Sequence, residues 1–410
     1  WSFSEEPFIK RLTGGWLNWG KIRGSYGKSG QTFTSAYLAH GLMNIMDKSF
    51  FGKTGITTDK PVSPYLTWEK TRQYDLGLDM DMFNYRLNVK LDYYYKYTSS
   101  LIYDIPIPGS LYAFGAQVEN AMEISNEGLE LELQADILRE SAVSWRMKFN
   151  MARNWNRFEK SYSGKDVVDG DGTLLVAGRP LNGLYVWAHR GYYNSDAEVP
   201  RLYKIDGQEI YFNGVATNGI SGAVGDYRLL DLDGDGNPDS YYAGSPLPLA
   251  HGGWVNELMW KNFDLNVLVN FTIGRKMINN RMGLGFSRQS EDGHLTKLFD
   301  YRKLRPWDGV NKKPNAPAWG NSLSMNTDSA IEKVHHLALK QITLGYNLPD
   351  RISKKAGLSG VRFFLTAENL FYLSNYSGGN PEVVNIYTGR DNGDTYPLPR
   401  KYTLGLTLNF

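Results

Sequence analysis

Apolar and polar residues alternate one by one through about ten separate stretches of this chain, the period of an extended strand and not of a helix. The last stretch shows it most plainly. Tyr402, Leu404, Leu406, Leu408 and Phe410 fall on one face, and Thr403, Gly405, Thr407 and Asn409 fall on the other. A soluble sandwich would turn the oily face inward. A transmembrane barrel turns it out to lipid and lines a wet lumen with the small polar face.

The same alternation predicts strands from about Trp19 to Lys28, Tyr74 to Met82, Tyr85 to Tyr97, Leu129 to Ile137, Trp145 to Met151, Trp254 to Trp260, Phe263 to Phe271, Glu332 to Asn347, Val361 to Ala367, and Tyr402 to Phe410. Within Glu332 to Asn347 the apolar phase slips between Leu339 and Ile342, which predicts a β-bulge. The connections carry as much information as the strands. Long segments rich in Gly, Pro, Ser and Thr, at about 29–71, 99–124, 159–251, 278–330 and 374–398, alternate with tight turns near Asn84, Arg139 to Ser141, Lys261-Asn262, and a moderate one with Pro349 and Gly360. Strict parity of this kind belongs to antiparallel strands crossing one slab, with short turns on the periplasmic side and long loops outside. On that parity the C-terminus lies on the periplasmic side. The expected fold is an all-β, transmembrane antiparallel β-barrel wall of about ten strands.

Composition sharpens this picture without changing it. The mean hydropathy of -0.43 looks soluble, and no run of eighteen apolar residues offers a transmembrane helix. Barrel strands are half polar by construction, so averaging hides them. Aromatic residues make up 14% of the chain, with 27 Tyr and 11 Trp, which suits strands, interfacial girdles or ring-stacking surfaces. Tyr93, Tyr95, Trp254 and Trp260 sit on apolar faces near strand ends and are expected in a girdle. With 45 Lys+Arg against 43 Asp+Glu, no concentrated basic face is available for nucleic acid. Cysteine is absent, which excludes disulfides and thiolate metal sites. The chain opens at Trp1 without a signal segment and is expected to be part of a longer protein.

Candidate chemistry is sparse. Asp231, Asp233, Asp235, Asn237 and Asp239 alternate with glycines around a tight loop, a pattern of oxygen ligands suited to Ca²⁺. The bidentate Glu that would complete an EF-hand falls on Tyr242, leaving either a shorter calcium loop or a plain polar turn. No other cofactor is expected. Glu130 with Glu132, and Asp79 with Asp81, share strand faces, but same-face carboxylates on barrel strands read first as lumen lining and not as a glycosidase pair. His335 and His336 point to opposite faces and make a poor shared metal site. No phosphate loop, zinc spacing or nucleophile elbow appears, so no enzymatic activity is expected. In the long connections Tyr185, Trp187, Tyr192, Tyr193, Trp307 and Trp319, together with Tyr203 and Tyr211, are candidates for stacking on a substrate or on a partner. Their alternative is packing the loops on themselves.

Several local words resemble the C-terminal part of the SusC/RagA family of TonB-dependent outer-membrane transporters of Bacteroidetes-like bacteria. They are Lys21 to Gly30, Trp68 to Asp79, Asn126 to Leu131, Gly225 to Tyr227 leading into Asp231 to Gly236, Lys261 to Leu265, Ala367 to Phe371, and Tyr396-Pro397-Leu398-Pro399-Arg400, in the family's order over nearly the whole chain. The resemblance implies a 22-stranded barrel of which these are the last ten or so strands, with the N-terminal plug and the first half of the barrel outside this chain. It implies TonB-driven import of oligosaccharides or oligopeptides, a SusD-like surface lipoprotein closing over the barrel, and a terminal aromatic, Phe410, read as an assembly signal. Two other functions are compatible with the residues. One is a structural subunit of a larger outer-membrane complex that has lost transport; the other is a secreted, calcium-stabilised β-protein that binds or cleaves glycans. Outer-membrane lipid, TonB through the missing part, and whatever supplies the remaining strands complete the expected partners.

Overall fold

A computed structural model describes residues 1–32, 43–58, 61, 63–108, 115–168, 174–199, 201–203, 209–211, 224–232, 239–280, 305–310, 313–318, 327–393 and 395–410. Ten long strands carry the fold: β1 Leu17–Gln31, β2 Glu69–Met82, β3 Leu87–Pro106, β4 Ala116–Leu138, β5 Val143–Lys160, β6 Ala250–Trp260, β7 Phe263–Asn279, β8 Ile331–Asn347, β9 Gly360–Ser374 and β10 Lys401–Asn409. The helices are short, and no described helix is long and apolar enough to cross a membrane. The chain divides into two compact units, Trp1–Leu181 with Gly252–Asn266, and Asn182–His251 with Val267–Phe410.

In the first unit β1 to β6 neighbour one another in chain order. The register of β1 to β5 is antiparallel and continuous over long spans, from Gln31↔Glu69 to Gly20↔Met80 for β1 with β2 and from Lys70↔Ser99 to Met82↔Leu87 for β2 with β3. Continuous register keeps each alternating face intact, because a slip of one residue would send every apolar side chain to the wrong side. Helix α1, Pro7–Thr13, starts on a proline and stops at Gly14, whose φ of 54° is a conformation that glycine adopts without a Cβ penalty. The backbone of Trp1 exchanges two hydrogen bonds with that of Ile22, 2.9 and 2.8 Å. The turn between β2 and β3 is a three-residue left-handed run, with φ of 56°, 56° and 59° at Phe83, Asn84 and Tyr85. It is held from neighbouring elements: Phe83 N–H donates to Trp16 O at 2.8 Å, Tyr85 N–H to Asn18 Oδ1 at 3.2 Å, and Arg139 to Asn84 O at 3.2 Å.

One connection is narrower than the sequence pattern suggests. Pairing of β3 with β4 runs on from Leu101↔Met122 to Pro106↔Ala116, so much of 99–124 is a tall hairpin and not a loop. Ser100, at a φ of 59°, sits in a bulge that resets the phase of β3, which is why the alternation reads as ending at Tyr97. Beneath this extension Met122, Phe158, Val167 and Leu175 form a buried cluster.

In the second unit β7 to β10 again follow chain order, with β8 to β9 and β9 to β10 antiparallel. An irregularity lies where the slip of phase predicts it, between Leu339 and Gln341, but the extra residue is on β9 and not on β8: Asn369, at a φ of 52°, and Leu370 together face Lys340. Helix α2, Asp350–Ser353, fills the turn between β8 and β9.

Both units expose an apolar face. Ile22, Tyr74, Leu76, Leu129 and Met151 do so in the first, and Leu344, Phe363, Leu365, Leu373, Leu404 and Leu406 in the second. On that face Tyr26 packs on Tyr74 with ring centroids 4.8 Å apart, and Tyr74 on Tyr95 at 6.4 Å. Tyr85, in the turn below, is itself exposed. About ten residues separate the level of Tyr95 from that turn, which at ~3.3 Å per residue and a tilt of ~40° is about 25 Å, the height of an outer-membrane apolar band. Trp260 and Phe263, stacked at 6.3 Å across the short β6 to β7 turn, mark the same lower edge.

Candidate functional site: the polar inner face and its loops

The face opposite the apolar one is charged and cross-linked. In the first unit Arg23 of β1 donates to Asp79 of β2 through Nε and Nη2, 2.7 and 2.9 Å, and Nη2 reaches on to Asp92 of β3 at 2.7 Å. That reach passes over Gly77, which lies in register between Arg23 and Asp92; a Cβ there would strike both side chains. Tyr94 of β3 repeats the device, crossing Gly128 of β4 so that its hydroxyl meets Asn154 Oδ1 of β5 at 2.9 Å. Lys90 with Glu132 at 3.5 Å, Lys148 with Glu257 at 2.8 Å and Asn88 with Asp81 at 2.7 Å extend the ladder. Asp79, Asp81 and Glu132 are thus engaged in lining, and Glu130 lies in register between Asp92 and Ala152. Such a surface is polar and presents both signs of charge on one side of the strands.

In the second unit the segment 375–393 lies on the corresponding face of β7 and β8. Arg275 is buried, and its guanidinium donates to three backbone carbonyls, Pro381 at 3.3 Å, Val384 at 2.9 Å and Asn385 at 2.7 Å. Ile278 N–H donates to Gly389 O at 2.8 Å, Asn280 N–H to Asp391 O at 2.9 Å, and Tyr376 O–H to Asp391 Oδ2 at 2.7 Å. Met277, Val334, Tyr376 and Val384 close the apolar part of the contact. Lys340 and Glu382 pair at 3.2 Å beside a cavity of 220 Å³ whose walls include Asn369, Tyr372 and Arg400. His336 is buried here, 3.9 Å from Glu382, and His335 lies on the exposed side; they do not converge.

Two of the candidate loop aromatics, Tyr192 and Tyr185, pack on other rings. Tyr192 stacks on Tyr227 with centroids 5.3 Å apart, and the His189 ring meets Tyr227 edge-on at 4.7 Å. Ser329 Oγ bonds the Tyr227 hydroxyl at 2.9 Å, and Asp328 joins His189 Nδ1 and receives the Tyr241 hydroxyl at 3.1 Å. Burial raises the pKa of Tyr192, Tyr193, Tyr227 and Tyr241 above the usual tyrosine value, so all four stay neutral. Tyr185 packs on Tyr242 at 5.6 Å, Trp187 bridges to Thr327, Tyr193 is buried, and Trp307 donates to Asn194 Oδ1 at 3.2 Å. Tyr203 and Tyr211 stand at opposite ends of a short strand pair, and Trp319 lies outside the described residues. Of the calcium candidates, Asp233, Asp235 and Asn237 also lie outside them; Asp231 and Asp239 flank the gap, where Asp239 accepts from Leu232 N–H and its own N–H donates to Leu230 O at 2.9 Å. Phe410 is exposed at the end of β10, beside the short turn, where Ser359 Oγ bonds its carbonyl at 3.3 Å. Arg275, Gly77 and the His189–Asp328 pair escape sequence reasoning, because nothing local marks which Arg, Gly or His will meet a distant segment.

A wall oily outside and charged inside, with long loops at one end, matches a known family. The sequence model for TonB dependent receptor-like β-barrels matches residues 3–242. The chain belongs to that family. This TonB-dependent barrel chain is 30% identical to TonB-dependent receptor P26 of Formosa agariphila, over all of the chain and 41% of that protein. It is 26% identical to TonB-dependent receptor SusC of Bacteroides thetaiotaomicron, over 39% of that protein. In fold it is similar to the RagAB peptide importer in its closed-closed state, with a TM-score of 0.77, 22% identity, and coverage of the whole chain and 42% of the other. The chain thus spans about two fifths of the length of the curated relatives it matches. The family is one of outer-membrane β-barrel transporters.

Proposed function

We propose that this chain is the C-terminal wall of a SusC-like importer, taking up oligosaccharides or oligopeptides through the outer membrane with energy delivered by TonB and with a SusD-like lipoprotein over its loops. The observation that carries the proposal is the division of labour along single strands. β2 sends Tyr74, Leu76 and Leu78 to the apolar side and Asp75, Asp79 and Asp81 to the polar one, which serves a conduit and has no use in a soluble core. The remaining strands, the plug and the TonB-contacting segment come from protein outside these 410 residues. The proposed orientation has the C-terminus facing the periplasm with Phe410 presented for assembly; it is supported by β10 ending beside the short β8 to β9 turn, where Ser359 N–H donates to Asn409 O at 2.8 Å. Substrate recognition is assigned to the inner face and the 375–393 segment; the aromatic cluster around Tyr227 shapes the loops from within. The Asp231 to Asp239 loop is assigned calcium, checked by isothermal titration of the intact protein with Ca²⁺ before and after Asp231→Asn. No catalytic role is assigned.

The test is uptake. Deleting the gene, or the cell's TonB, is expected to abolish growth on at least one oligosaccharide or peptide source, and a lipoprotein is expected to co-purify in detergent. Unchanged growth on every source, with no lipoprotein retained, would instead favour a structural subunit.

A further inference from the structure

Among the described residues, three inner-face side chains lie across a glycine on the next strand. Arg23 of β1 crosses Gly77 of β2 and ends on Asp92 of β3; Tyr94 of β3 crosses Gly128 of β4 and ends on Asn154 of β5. The third is Phe364 of β9, directly in register with Gly405 of β10, where a Cβ on Gly405 would collide with the far end of the ring. All three crossing residues sit on strands of the same direction, β1 following helix α1 and β3 and β9 each starting at a short turn, and each leans toward the next strand in chain order. The common lean follows from the common strand direction and from side chains tilting along it. In the first two cases the crossing has a destination, the facing residue one strand further on. For Phe364 that position lies beyond the edge of β10 that is free among the described residues.

We infer that the strand pairing with the free edge of β10 presents an apolar or aromatic inner-face side chain opposite Gly405, and that the rim of the Phe364 ring packs against it. Tyr94 shows the reach: its ring covers Gly128 and its hydroxyl bonds the residue beyond. Phe364 has the same ring and no hydroxyl, so only van der Waals contact is open to it, and a polar residue facing it would lose water without gaining a bond. Arg362 lies 5.5 Å from the ring centroid, which fixes the ring from its own strand and leaves the rim toward the missing neighbour. The occupant is a β-strand from the part of the protein outside these 410 residues. The inference rests on the barrel assignment and adds the side-chain chemistry of its seam.

The experiment places p-benzoylphenylalanine at position 364 of the full-length protein in native outer membranes, irradiates, and maps the cross-link by mass spectrometry. The expected product joins residue 364 to one apolar or aromatic residue outside the 410, on a strand whose neighbours alternate in polarity. A cross-link confined to Lys401–Asn409, to a second copy, or to a polar residue would overturn the inference. Should that variant fail to assemble, Phe364→Cys carrying a photoactivatable thiol probe reads the same contact, since these 410 residues contain no cysteine. Failure of the barrel assignment itself gives a different signature: the protein is then found outside the membrane fraction before any irradiation.

Discussion

The β1 to β5 wall and the loop assembly of the second unit are held together by opposite means. In the wall the ladder does most of the work: each strand finds its neighbour in chain order, the register runs for a dozen or more residues, and side chains serve two separate solvents. In the loop assembly the paired segments are short, such as Leu184 to Trp187 with Ser240 to Gly244, and the order comes from side chains reaching far in sequence. Asp328 receives His189 and Tyr241, and Arg275 holds carbonyls more than a hundred residues away. A wall of this kind tolerates change at its polar positions. A loop assembly of the second kind depends on a few anchors, because each orders many residues whose backbone entropy would otherwise favour disorder.

The contrast is broken most directly at Arg275. Arg275→Ala leaves three carbonyls without their donor in a buried site, and a cost of about 3 kcal/mol is expected, at roughly 1 kcal/mol or more for each. Limited proteolysis of the full-length protein is expected to cut within 375–393 in the variant and not in the parent; equal resistance would show that the ladder, and not the clamp, orders the segment. In the wall the corresponding weak point is a glycine. Gly77→Val places a side chain where Arg23 and Asp92 already lie, with an expected loss of about 1–3 kcal/mol seen as a lowered temperature for loss of heat-modifiable mobility. A neutral result would mean that Arg23 has another route.

Tyr227 sharpens the comparison on the loop side. Tyr227→Phe removes the acceptor of Ser329 and is expected to cost about 1 kcal/mol. Its pH dependence has a definite sign. Burial holds the folded pKa above that of an unfolded tyrosine, so the contribution is complete below about 10 and falls as pH rises toward the folded value. Absorbance titration is expected to show a late, alkaline ionisation step in the parent that is missing from the variant. The smallest effect belongs to the wall. Lys90→Ala removes an exposed 3.5 Å pair with Glu132, and a change below about 0.5 kcal/mol is expected by thermal unfolding.

How far the sequence speaks differs between the same two regions. All ten long strands are legible from alternation, and the irregularity between β8 and β9 from one slip of phase, because a pattern of period two is local and each face has one solvent. The strand ends are less so: Ser100 breaks the phase of β3 without ending its pairing, and β4 begins at Ala116 where the residues read as loop. The loop aromatics were legible as a group but not in their role. Tyr192 and Tyr193 are as suited by composition to a sugar as to a buried pocket, and the packing of Tyr192 on Tyr227, itself held by Ser329 from a hundred residues away, has no local mark in the sequence. Arg275 carries no local mark, since its partners are backbone carbonyls that any sequence provides.

The central claim is that each strand faces lipid on one side and a wet lumen on the other. Spin labels placed one at a time from Tyr402 to Leu408 in the full-length protein, in native membranes, test it directly. The account predicts a period of two, with oxygen collisions highest at 402, 404, 406 and 408 and a water-soluble nickel chelate favoured at 403, 405 and 407. Equal accessibility at all seven positions, or the reverse phase, would contradict it.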